Sequence, residues 1–128
     1  MTTQTLRILI AGALFVHGIG HTLGFWRPAH SWLLSRLGEP ALRIIANTIW
    51  TLAAVGFVLS SLGFWGVLVP TDWWRPLAVI FAIISLIGLM LFWGTWPIFN
   101  TIGALGFDIL VLVALLWLRW PPISMFGW

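Results

Sequence analysis

Three side chains in this sequence combine a residue type and a spacing able to do chemistry: His17, His21 and Asp108. The two histidines are four residues apart, so on a helix they share one face. Two imidazoles on one helix turn, joined by a carboxylate from elsewhere, form a three-ligand set suited to zinc, copper, iron or manganese. The metalloprotease form of this spacing needs a glutamate directly after the first histidine as general base. Gly18 stands there instead, which argues against protease chemistry. A single histidine suffices as a haem ligand, but two on one turn cannot clamp both faces of one macrocycle. A bis-histidine haem would need a second chain. A hydrogen-bonded His17–Asp108 pair would also suit a proton relay or a quinone-like ligand. The plainest alternative is a polar clasp that fixes two helices in an accessory subunit. No residue is assigned a catalytic role, and an enzyme is not the expected class.

The elements that position these residues follow from composition. The chain has 128 residues, 61% of them hydrophobic and only 7% charged, against about 45–50% and about 25% in ordinary globular proteins. A soluble domain this small cannot hide so much apolar surface. That excludes a soluble enzyme, a nucleic-acid-binding module and a disordered tail. Six arginines and no lysine give a formal charge of +3, too little for a nucleic-acid footprint. Without lysine there is no Schiff-base chemistry. Without cysteine there are no disulfides, thiolate metal sites or iron–sulfur clusters. The eleven tryptophans suit a bilayer, where tryptophan collects at the two interfaces.

Four apolar stretches, at about residues 6–26, 44–69, 76–96 and 98–120, are each long enough to span a ~30 Å hydrocarbon core. The expected fold is all-α, one transmembrane domain forming an antiparallel four-helix bundle. The first stretch is too long for a leader and lacks a cleavage site. Stretches three and four, separated by Trp96-Pro97, should form a tight hairpin. A short interfacial helix is expected at about residues 30–37, and the aromatic tail beyond Pro121 should rest on the membrane surface. Arg7, Arg75 and Arg119 fall on the side of the termini, and Arg27, Arg36 and Arg43 on the other. The positive-inside count is therefore tied, and the amino-terminal charge tips the expectation towards cytoplasmic termini.

Polar groups inside such helices are expensive, so their placement is informative. In an up-and-down bundle, His17 and Asp108 both lie roughly 13–15 Å in from the side opposite the termini. Asn47 and Thr51 on the second helix, and Asn100 and Thr101 on the fourth, begin at that side and should line the same pocket. His30 and Glu39 sit at its periphery, Glu39 before Pro40 as a helix start. Ser60, Ser61 and Ser85 are assigned to the other half. Gly20 and Gly24 share the histidine face as a small-residue pair that lets a neighbouring helix come close.

The run Phe15-Val16-His17-Gly18-Ile19-Gly20-His21-Thr22-Leu23-Gly24-Phe25 resembles the first helix of small four-helix bacterial membrane proteins that carry His-Gly-x-x-His-x-x-Gly-Phe. The chain is more loosely similar to the DoxX-like group. This resemblance implies a bacterial inner-membrane protein with a histidine site in its first helix, and no particular activity. The expected ligand is a metal ion or haem. The expected partners are the lipid bilayer and either further membrane subunits or a second copy of the chain, and no nucleic acid.

Overall fold

The computed structural model describes residues 2–122 and 124 of the chain. The aromatic tail expected to lie on the membrane surface falls mostly outside the described residues.

Every regular element among the described residues is helical. Helix α1 spans Thr3–Gly20 and tightens into 3-10 turns over His21–Trp26. Helix α2 is Glu39–Phe64, α3 is Trp74–Leu91 after a 3-10 turn at Thr71–Trp73, and α4 is Ile98–Leu112, widening into a π-type turn at Val113–Trp117. Among the described residues, four stretches are long and apolar enough to cross a membrane: Thr3–Trp26, Glu39–Phe64, Thr71–Leu91 and Ile98–Trp117. This suggests a multi-pass membrane protein. A helix is the form such a segment takes, because it satisfies its backbone polar groups without water.

The helix ends differ from the sequence reading for local reasons. α2 starts at Glu39, before the apolar run begins, because Pro40 fits the first helical turn. Arg43 Nε also donates to Glu39 Oε1 at 2.9 Å across that turn. α2 then stops at Phe64, where Gly66 takes a positive φ of 66°. α3 stops at Leu91, and Gly94 at φ 86° turns the chain. Residues 92–97 therefore form a true loop rather than a bare Trp96-Pro97 junction. The expected interfacial helix at 30–37 is a series of turns. The Ser31 hydroxyl accepts the Leu34 N–H at 3.2 Å and the Leu34 carbonyl accepts the Leu37 N–H at 2.9 Å. These local bonds replace a helical ladder.

α2 packs against both α1 and α3, and α4 packs along α3. α4 barely approaches α1. The buried side chains fall into two apolar clusters, one around Phe57, Phe64 and Trp74, the other around Trp50, Phe92 and Trp96. Small residues on α3, Ala78, Ala82, Ser85 and Gly88, allow α2 to come close. At Gly88 an added Cβ would meet Ile49 Cγ2 at 2.5 Å. Two serine hydroxyls tie helices through backbone carbonyls, Ser60 donating to Trp74 at 2.7 Å and Ser61 to Ala11 at 2.8 Å. The outer surface is apolar, with Trp26, Phe99 and Trp117 largely exposed. So much exposed apolar area fits lipid contact better than water.

Candidate metal centre

Between the two apolar clusters lies a polar knot. His17 and His21 come from α1 and its 3-10 continuation, Ser85 from α3, and Asp108 from α4. Asp108 and Ser85 are each 0% exposed and His21 is 1% exposed. His17 Nε2 is 2.9 Å from Asp108 Oδ1 and 3.3 Å from His21 Nε2. Ser85 Oγ donates to Asp108 Oδ2 at 2.5 Å and lies 3.1 Å from His21 Nε2. One ligand atom from each of His17, His21 and Asp108 lies within 4.8 Å of the other two, so the three could hold a metal ion.

Aromatic rings hold the imidazoles in place. His17 stacks on Phe107, centroids 4.2 Å apart, and meets the edge of Phe57 at 4.7 Å. His21 lies nearly parallel to Trp50 on one side and Phe57 on the other, at 5.7 and 6.1 Å. His21 thus bridges the two apolar clusters.

The winding of α1 sets this arrangement. With 3.0 residues per turn, positions three apart eclipse and positions four apart diverge by about 120°. His21 and Gly24 therefore share the inward face, with Gly18 one turn before. At Gly18 an added Cβ would lie 2.9 Å from the Ala54 carbonyl oxygen, and at Gly24 it would lie 2.6 Å from Trp50 Cδ1. These two glycines make the close approach to α2. Gly20, expected to pack with Gly24, has nothing within 4 Å of an added Cβ. It lines a pocket instead.

The proton count in the knot is awkward. Ser85 has one hydroxyl hydrogen, and with Asp108 ionised that hydrogen serves Oδ2. His21 Nε2 must then donate to Ser85 Oγ, while His17 Nε2 donates to Asp108 Oδ1. Two N–H groups now face each other across 3.3 Å. His21 Nδ1 is left with a bare lone pair, and it is buried without a hydrogen-bond partner. The indole nitrogens of neighbouring Trp50 and Trp96 are also buried without partners.

The remaining sequence candidates are mostly elsewhere. Asn47 is half-buried and Thr51 exposed, and neither lines the pocket beside the histidines. The inward stripe of α2 runs through Ala46, Trp50, Ala53 and Phe57, and each is one residue, about 100°, round from it. Thr101 is buried but returns its hydroxyl to the Pro97 carbonyl, four residues back on its own helix, at 3.3 Å. Asn100 is exposed and does line the pocket. The exposed His30 reaches the structure through its backbone N–H, which donates to Thr95 Oγ1 at 3.4 Å. Exposed Glu39 pairs with Arg43. Ser85 was assigned to the other half of the bundle and belongs to the site. The signal that could have found it is the α3 stripe Ala78, Ala82, Ser85, Gly88, in which the one hydroxyl sits on the packed face.

Comparison with protein-family models, with curated proteins and with solved structures gives no match for this chain.

Proposed function

We propose that this chain is an antiparallel four-helix protein of a bacterial inner membrane that binds one transition-metal ion through His17, His21 and Asp108. The observation that carries this reading is the 3.3 Å separation of the two Nε2 atoms. Two nitrogens bound at 2.0–2.1 Å to one tetrahedral ion lie about 3.3–3.4 Å apart. With Asp108 ionised, the same contact is frustrated as a hydrogen bond, because both nitrogens carry a proton when their other partners are satisfied. Moving each ring proton to Nδ1 frees both Nε2 lone pairs, so a cation there turns the repulsion into two coordinate bonds and leaves Ser85 donating to Asp108. An ion suits the site better than a haem. Both Nε2 atoms face each other and Asp108, so neither is free to face a macrocycle. Zinc, copper, iron and manganese all remain compatible with a two-histidine, one-carboxylate set.

A second reading is favoured by a separate observation. Asp108 already has two partners, and its bond to His17 ties α1 to α4 where those helices otherwise barely meet. The knot can therefore serve as a clasp in an accessory subunit of a larger membrane complex. Elemental analysis of protein purified in mild detergent, without metal-affinity tags, separates the two. About one equivalent of a transition metal, lost in His17→Ala and unaccompanied by a haem absorption band, supports the ion site. Metal at background level in the folded wild type refutes it and leaves the clasp.

A further inference from the structure

The seam between α1 and α4 is sparsely packed. Beside the polar knot it opens into a pocket of about 320 Å³, with His17 and His21 on one wall and Asn100 and Gly103 on the other. Gly20 and Gly103 line it without side chains, and an added Cβ at either would meet nothing within 4 Å. A second pocket of about 410 Å³ adjoins it, sharing Leu23, Trp96 and Asn100, and reaches Arg27. Together they form a path from the histidine pair to the end of the first span.

The polar groups along this path favour an anionic oxygen. Asn100 supplies an amide that can donate, and Arg27 adds a positive charge that draws anions inward. Among the described residues, no carboxylate lines either pocket. Asp108 is engaged behind them by His17 and Ser85. The rim is apolar, with Leu23 exposed and Phe99 85% exposed. A free inorganic anion would gain nothing from such a rim, whereas a molecule dissolved in the bilayer would. The glycine-walled pocket suits a slim, planar head.

We infer that the α1–α4 seam seats a single-chain amphiphile with a carboxylate head, entering from the bilayer and reaching the histidine pair. This rests on the metal reading. Three protein ligands leave a tetrahedral ion with one open position, and the head group fills it from the pocket side. The apolar chain passes out between Leu23 and Phe99.

The test uses the full chain in phosphatidylcholine nanodiscs loaded with Co2+, whose visible absorption reports its ligands. Laurate and acetate are titrated separately, and cobalt content is measured in every sample. Laurate should change the cobalt spectrum saturably, at concentrations at least about tenfold below acetate, a gap of about 1.4 kcal/mol. Gly103→Leu should abolish the laurate response while cobalt stays near one equivalent, because the new side chain fills the pocket and touches no ligand. Arg27→Gln should weaken laurate severalfold and leave cobalt in place. Bound cobalt that ignores laurate, or a Gly103→Leu response equal to wild type, overturns the inference and leaves the metal site standing. Acetate acting at the same concentration as laurate also overturns it, in favour of a free small anion. Failure to bind cobalt at all overturns the metal reading, and the inference falls with it.

Discussion

Asp108→Asn separates charge from shape at the centre of the site. Asp108 is fully buried and accepts from His17 at 2.9 Å and from Ser85 at 2.5 Å. An asparagine whose carbonyl faces His17 keeps the first bond, and its amide then donates to Ser85 Oγ, which can accept. Both contacts survive as neutral hydrogen bonds. A charge-assisted bond is worth about 1 kcal/mol more than a neutral one, and hydrogen bonds between helices in membranes average only about 0.6 kcal/mol. Against that loss, removing a buried charge relieves part of an insertion penalty of roughly 2.5–3.5 kcal/mol. The two effects nearly cancel, so the metal-free variant should unfold within about 2 kcal/mol of metal-free wild type. Metal binding has no such compensation, because a neutral amide replaces an anionic ligand. Affinity should fall by more than about 100-fold, beyond the range for changes in residues that only orient a ligand. The assay is elemental analysis together with unfolding in detergent followed by circular dichroism. A variant that keeps its full metal content refutes Asp108 as a ligand. A variant that loses more than about 3 kcal/mol in the metal-free state refutes the cancellation and makes the clasp the main role of the side chain.

Three further outcomes follow from the geometry. Ser85→Ala removes the donor to Asp108 Oδ2 and the partner of His21 Nε2; it should cost about 0.6–1.7 kcal/mol in unfolding and weaken metal binding about 10–100-fold, and unchanged affinity would show that Ser85 does not orient the ligands. Gly24→Ala puts a methyl group 2.6 Å from Trp50 Cδ1 and should lower stability by about 1–3 kcal/mol, whereas Gly12→Ala, with nothing within 4 Å, should be neutral or stabilising; equal unfolding midpoints would contradict the packing. Asn47→Ala should leave metal content unchanged, since Asn47 lies off the inward stripe of α2, and a loss of metal would return it to the site.

The spans were legible because hydropathy is a property of composition, while their ends were not. Pro40, Gly66 and Gly94 moved three boundaries by local backbone chemistry that an apolar count ignores. His17, His21 and Asp108 were legible because burying each is expensive, so their presence in apolar helices demanded partners. Ser85 carried no such signal. A serine in a helix can satisfy its hydroxyl on its own backbone, so its sequence position says little about what it touches. Asn47 and Thr51 were placed by depth alone. Depth follows from a residue count, but facing depends on helix rotation, and a step of about 100° separates the packed stripe from its neighbour. The Gly20–Gly24 pairing failed for a similar reason. It assumed α-helical phase across a stretch that winds as a 3-10 helix from His21 onward.

The metal and clasp readings converge on one mechanical fact. α1 and α4 are held by different neighbours, α1 by α2 and α4 by α3. Their tie in the middle of the bundle is His17 against Asp108 and Phe107. An ion shared by His17, His21 and Asp108 would bind only when this seam is closed, so its binding energy would also be seam-closing energy. A ligand that binds the folded state alone stabilises it by about 2.7 kcal/mol at one hundred times its dissociation constant. That exceeds the worth of the hydrogen bonds it replaces, which average about 0.6 kcal/mol each in a membrane. Occupancy would then set how firmly α4 is held against α1, and with it the width of the pocket lined by Gly20 and Gly103. A metal whose binding left the seam and the pocket unchanged would refute that coupling and leave the ion site standing.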